Sequence, residues 1–207
     1  MSVIDCLCSD DIDGIDNFKC NSETYGTQIV ALLYQKPGGT EFDGTSGNDI
    51  TVSADWQTRL TATGEDKIAA IPYISSATLP APEDTLAEDN DVAYGGQELE
   101  DRKQMITFDL RYLSSTIFDQ LDTITNCTGL VDVWFLDNLG WIWGATSTGG
   151  ALQNVSLLMK TPALEDITSK TKVVGNTATW HSPCTHRPIA KVSFLQGLID
   201  DLAPSGS

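Results

Sequence analysis

Positive charge is scarce in this chain of 207 residues: 12 Lys and Arg stand against 29 Asp and Glu, for a net charge of −17. So acidic a chain repels phosphate, which excludes sequence-general binding to DNA or RNA and disfavours docking on anionic lipid. Long hydrophobic runs are missing too, and no stretch reaches the roughly 18 apolar residues that a spanning helix requires. Met1–Asp10 has neither a basic start nor an apolar core. No signal peptide is therefore expected, and the chain is expected to be made and assembled in a cytoplasm. Catalytic signatures are absent as well. There is no G-x-S-x-G, no P-loop, no G-x-G-x-x-G after a strand and no H-E-x-x-H. Only two His, His181 and His186, are on hand for acid–base work.

Cysteine is present in an odd number: Cys6, Cys8, Cys20, Cys127 and Cys184. That count and spacing do not make a disulfide framework, and free thiols are the expectation in a reducing compartment. Cys6-x-Cys8 with Cys20, and His181-x2-Cys184-x-His186, are each incomplete as zinc knuckles and would have to meet across the fold. A Cys184–His pair lacks any sign of a base arriving from elsewhere or of an oxyanion hole. Asp10, Asp11, Asp13 and Asp16 surround Gly14, but the glycine sits two places early for a calcium loop counted from Asp11. With 29 acids a glycosidase-like pair is always imaginable, yet spacing in sequence cannot place two carboxyls about 5–10 Å apart across a cleft. No catalytic, metal-binding or cofactor-binding residue is assigned, and no cofactor is expected.

The chain does carry punctuated apolar segments. Tyr25–Gln35 is an apolar run of strand length, broken by Lys36-Pro37-Gly38-Gly39. Glu41–Asn48 reads as loop. Trp56 and Leu60 share one face of a short helix that Ser53 or Asp55 would cap. Asp66–Tyr73 is a second strand candidate. Gln104–Leu110 alternates, setting Ile106, Phe108 and Leu110 opposite Met105, Thr107 and Asp109. Ile117, Phe118, Leu121 and Ile124 predict a helix from Ser114 or Ser115 to about Thr125. Leu130–Leu136 and Trp141–Ala145, joined by Asp137-Asn138-Leu139-Gly140, predict a hairpin. Strands are expected at Leu152–Lys160, Lys170–Trp180 and Ile189–Leu195, and a fraying tail from Leu198.

Short strands at regular spacing predict a mainly β chain: a β-sandwich or barrel-like domain with one flanking α-helix and long loops. The expected organisation is an acidic, Cys-containing segment at 1–25, the β domain at 26–196 with a long acidic arm at 81–103, and a tail at 197–207. The arm stands out. Glu83–Asp101 holds eight acids and no base. Charge of that density favours a solvated loop, and a loop of that length in a compact domain often has a task. Trp141 and Trp143 lie two apart and share a strand face. They are a sugar-stacking pair in a carbohydrate- or receptor-binding module, or else sheet core or subunit interface.

One resemblance comes from the order of these parts. Trp56 and Leu60 are followed by the Ile71-Pro72 and Leu79-Pro80 stretches and the polar arm with Gly95-Gly96. A strand, a single amphipathic helix, the Asp137–Gly140 hairpin and further strands come after them. Across about residues 50–196 this pattern resembles virion structural proteins of tailed bacteriophages, in particular the tail-tube class. The resemblance implies a β-sandwich that assembles into rings, with a long loop or hairpin reaching a neighbouring subunit. A tail or connector ring is equally compatible. The implied partners are copies of this chain, other virion proteins, and DNA that passes through without specific binding. An acidic channel wall would avoid holding that DNA. No membrane contact and no enzymatic activity are expected.

Overall fold

The computed structural model describes residues 25–79, 83–87, 98–110, 130–146, 148–159, 173–181 and 186–202. The chain is mainly β. Its strands are β1 (Ile29–Gln35), β2 (Ala69–Ile71), β3 (Ile74–Ser75), β4 (Glu83–Ala87), β5 (Glu98–Leu110), β6 (Val131–Asp137), β7 (Trp141–Gly144), β8 (Leu152–Leu158), β9 (Val173–His181) and β10 (Arg187–Lys191). Two helices flank them among the described residues, α1 (Ser53–Thr61) and α2 (Leu195–Leu202). All strand pairs are antiparallel and form one continuous sheet in the order β10-β7-β6-β8-β9-β5-β3, with β1, β2 and β4 joining at the sides.

β8 turns this sheet into a sandwich. Its first half pairs with β6 and its second half with β9. Within the half paired with β6 the register shifts, and Asn154 takes φ 56°, a left-handed conformation that Asn tolerates better than most residues. The β6 half thereby folds over the β5–β9 half. Ile29, Leu32, Val133, Phe135, Ile106, Phe108, Ala178 and Trp180 fill the space between them.

The β1–β6 half is buried on its other face as well. Ala31, Leu33, Trp134, Leu136 and Ile142 pack there against Phe42, Ile50, Trp56 and Leu60, and against Val192, Leu195 and Ile199 around α2. The order is therefore sheet, sheet, helices. This explains why β1 and the Val133–Leu136 stretch of β6 read as apolar runs, since a strand covered on both faces has no solvent side to alternate with. Each large side chain so covered contributes about 1.5–3 kcal/mol. The indoles satisfy their N–H groups within this second core: Trp56 Nε1 donates to the Ile50 carbonyl at 2.7 Å and Trp134 Nε1 to that of Gly149 at 2.8 Å. Arg59, also buried, donates to the Thr40 carbonyl and to Asn48 Oδ1 and lies over the Phe42 ring, which pins the loop at 40–48 onto α1.

Several expectations are corrected. The N-cap of α1 is Val52, whose side chain caps nothing, and the Asp55 carboxylate accepts from Asp49 N at 2.8 Å instead. Asp66–Tyr73 is not one strand. A 3₁₀ turn at Gly64–Asp66 precedes the three residues of β2. The strand expected at Ile189–Leu195 ends at Lys191. The expected tail begins instead within α2, whose Leu195 and Ile199 stand one turn apart and are buried. Glu83–Ala87 and Glu98–Lys103 are strands paired with each other, not loop. The helix expected at Ser114–Thr125 and the segment 1–24 lie outside the described residues.

Candidate functional site

The histidines do not meet as ligands. His186 is partly buried, its Nδ1 2.8 Å from Gln104 Oε1 and its ring against Trp143 and Trp180. Burial lowers its pKa below the usual histidine value. His181 lies on the exposed end of β9, the cross-strand partner of Lys103. Cys6, Cys8, Cys20, Cys127 and Cys184 all fall outside the described residues, as do Asp10–Asp16. Among the described residues no three His, Cys, Asp or Glu stand together as a group able to hold a metal.

The tight turn Asp137–Gly140 fixes Trp141 and Trp143. Gly140 takes φ 84°, which lets β7 return along β6. Asp137 is 1% exposed, and its carboxylate accepts four hydrogen bonds. The donors are Leu139 N and Trp141 N at 2.9 Å, Gly26 N at 2.7 Å and Trp143 Nε1 at 3.1 Å. Gly26 must be glycine here, because a Cβ would collide with the Asp137 side chain. Tyr25 is thereby held edge-on to both indoles, with centroids 5.0 Å from Trp141 and 5.6 Å from Trp143. The pair expected as a sugar platform is a half-buried cluster, packed against Tyr25 and His186 and tied to Asp137.

Beside this turn lies an open groove of about 770 Å³, lined among others by Gln28, Tyr73, Ser75, Asn138, Val192 and Gln196. Among the described lining residues Asp137 is the one carboxylate, and its oxygens already serve four donors. Tyr73 and Ser76 bracket β3 with φ of 58° and 62°. The Tyr73 hydroxyl lies 3.3 Å from Asp200 on α2, and that negative charge raises the phenol pKa. This contact ties α2 to the β3 edge, while Gln196 Nε2, one turn earlier on the same helix, donates to the same carboxylate at 2.9 Å and holds it in place.

The largest exposed apolar side chains outside the groove and the aromatic cluster point to a surface. Met105 is 47% and Leu158 55% exposed. They stand on the outward face of β5, β9 and β8, where the register aligns Met105, Thr179 and Ser156 in one row and Thr107, Thr177 and Leu158 in the next. Among the described residues no helix covers this face. None of these rows carries a carboxylate, and Asp109, further along β5, is buried with its carboxylate accepting from Gly175 N. Sequence reasoning had the alternation of β5 but not the rows, because β8 and β9 add their Thr and Ser only once the register is known.

Next to that face the acidic arm takes form. β4 and β5 pair from Glu83↔Lys103 to Ala87↔Glu98, whereas the ladder of β9 on β5 starts at Lys103↔His181. Glu98–Arg102 therefore runs on past the sheet with β4 as its partner among the described residues. At 3.3 Å per residue this two-stranded extension is about 17 Å long. Comparison with known proteins brought no match to any family model, to any curated protein or to any solved structure.

Proposed function

We propose that this chain is a structural subunit of a tailed-phage particle, a tail-tube or tail/connector-ring protein that self-assembles into rings around an acidic-walled passage for DNA. The observation that carries this reading is the β4–β5 extension, a paired arm that leaves the sheet and leads into the most acidic segment of the chain. A two-stranded extension is marginal alone in water, and a neighbouring surface would complete it. Among the described residues β10 and β3 end the sheet order, and such edges suit lateral joining. An acidic wall repels phosphate, so DNA would pass without being held. The carbohydrate-binding reading has less support, because Tyr25, His186 and Asp137 already occupy Trp141 and Trp143.

Light scattering on the size-fractionated chain, with negative-stain images of the same fractions, tests the proposal. Rings, stacks or tubes are expected. A monomer that persists at high concentration and associates with no particle refutes it.

A further inference from the structure

A buried carboxylate needs a proton, a basic side chain or a metal ion beside it. Asp132 is 5% exposed, and among the described residues no Lys, Arg or His pairs with it. Asn154 N donates to it at 3.3 Å. The buried guanidinium of Arg59 is engaged elsewhere, on the Thr40 carbonyl and Asn48 Oδ1, and the charges that act on it are those of Asp66, Asp43 and Asp55. What stands near Asp132 is a second carboxylate, Glu41, whose negative charge acts on it. Glu41 Oε1 accepts from Gln153 Nε2 at 2.5 Å, and Oε2 lies beside Gly150, where a Cβ would come within 3.1 Å of it. Two acids alone do not make a site. The independent observation is Gln35, which is 1% exposed. Its Nε2 is turned to the Gly39 carbonyl at 3.5 Å, and its Oε1 has no hydrogen-bond partner. Gln35 and Asp132 stand directly opposite on β1 and β6, so their side chains share one face about 5 Å apart. That face carries Leu33 and Trp134, and Phe42, next to Glu41, packs over it. A Cβ on Gly39 would come 3.2 Å from Gln35 Oε1, so this oxygen lies between the sheet and the loop that brings Glu41.

We propose that Asp132, Glu41 and Gln35 Oε1 form a binding site for a hard divalent cation of the calcium type, which clamps the loop at 36–42 onto β1 and β6. The donor set is oxygen throughout, as such ions require. The two carboxylates balance a double positive charge, and the ion gives the orphaned amide oxygen a partner. Its ligands come from two strands and a loop, without the near-ideal octahedron that magnesium demands, whereas calcium accepts irregular geometry and completes its shell with water. Gln153 holds Glu41 in place and acts as a positioning residue. With two carboxylates and one amide the expected Kd is about 10⁻⁴–10⁻³ M. The site is independent of the subunit reading.

The test uses the full-length chain freed of metal with EDTA. Calcium chloride is the probe, against magnesium chloride at the same concentration and ionic strength. At pH 7 the melting temperature should rise with millimolar calcium and rise less with magnesium. Terbium excited through tryptophan should luminesce, because Trp134 lies on the same face two residues from Asp132, and calcium should displace it. Asp132→Asn keeps an acceptor for Asn154 N and so keeps the fold, and Gln35→Met keeps the volume but removes the oxygen. Each should weaken calcium binding about tenfold or more, as the loss of a ligand or of its support does in metal sites. Glu88→Gln with Asp89→Asn and Asp91→Asn thins the acidic arm and should leave the calcium shift as in the wild type. A wild-type chain whose melting temperature and terbium signal ignore calcium overturns the site and leaves a proton as the occupant of the acid pair. A calcium shift that Asp132→Asn retains, or that the arm variant abolishes, overturns it in favour of diffuse binding to the acidic surface. Unchanged binding in Gln35→Met overturns the assignment of the amide oxygen as a ligand.

Discussion

Asp137 ties three separate pieces of the molecule together, and its replacement by Ala sets them all loose. The carboxylate receives Gly26 N from before β1, Leu139 N and Trp141 N from the turn, and Trp143 Nε1 from β7. A hydrogen bond to a charged acceptor is worth about 1.5–3 kcal/mol, which sets an upper range near 6–12 kcal/mol for four. The turn is close to the surface, so water reaches some of the amides once the carboxylate is gone. The net loss expected is about 3–5 kcal/mol, a large part of the 5–15 kcal/mol typical of a folded domain. Asp137→Asn separates charge and geometry. Its amide oxygen can still serve two donors, but its NH₂ then faces the other two, for a loss of about 2 kcal/mol. Urea unfolding followed by tryptophan fluorescence measures both, with Asp43→Asn on the exposed loop as the reference. A loss below 1 kcal/mol for Asp137→Ala refutes the claim that this carboxylate holds the turn, the strand and Tyr25 in one unit.

Three further changes follow from single residues. Burial first, and the charge of Glu41 with it, raise the pKa of Asp132, so between the ordinary carboxylate value and the raised one the folded state binds the extra proton and stability falls as pH rises. Asp132→Asn keeps an acceptor for Asn154 N, so it should raise the melting temperature at pH 7 and leave it unchanged at pH 3; a lower melting temperature at pH 7 contradicts this. His186 shows the opposite sign. Its folded pKa is depressed, the unfolded chain takes the proton first, and stability is lost as pH falls below about 6.5. In His186→Gln the part of the acid loss between pH 7 and 5 that belongs to this ring should disappear, which parallel thermal melts would show. Gly140→Ala meets a left-handed φ of 84° and the Val192 backbone at 3.3 Å, and should cost about 1–2 kcal/mol in urea unfolding.

Much of the β scaffold is legible in the residues, for a physical reason. β1 and β6 are buried on both faces, so their apolar runs stand out against Gly and Pro punctuation. Trp56 and Leu60 announce α1 because one helical turn separates them and both are buried. Asp137-Asn138-Leu139-Gly140 announces its turn through a glycine that takes positive φ. The ladder of the acidic arm is not legible. Its register comes from backbone pairing, and Glu83–Ala87 and Glu98–Arg102 hold no apolar alternation to betray it. α2 is hidden for a similar reason, since its eight residues contain a glycine and two acids, and only Leu195 and Ile199 hint at a buried face. The network at Asp137 lies furthest from the sequence, because Gly26 donates from 111 residues away. The uncharged face also emerges only from the register that sets β5, β9 and β8 side by side.

The subunit claim is most directly tested by sedimentation velocity on the wild-type chain across a concentration series. The account predicts a discrete species of many copies that grows at the expense of the 22.4 kDa monomer as concentration rises. A single monomer boundary at every concentration would contradict it.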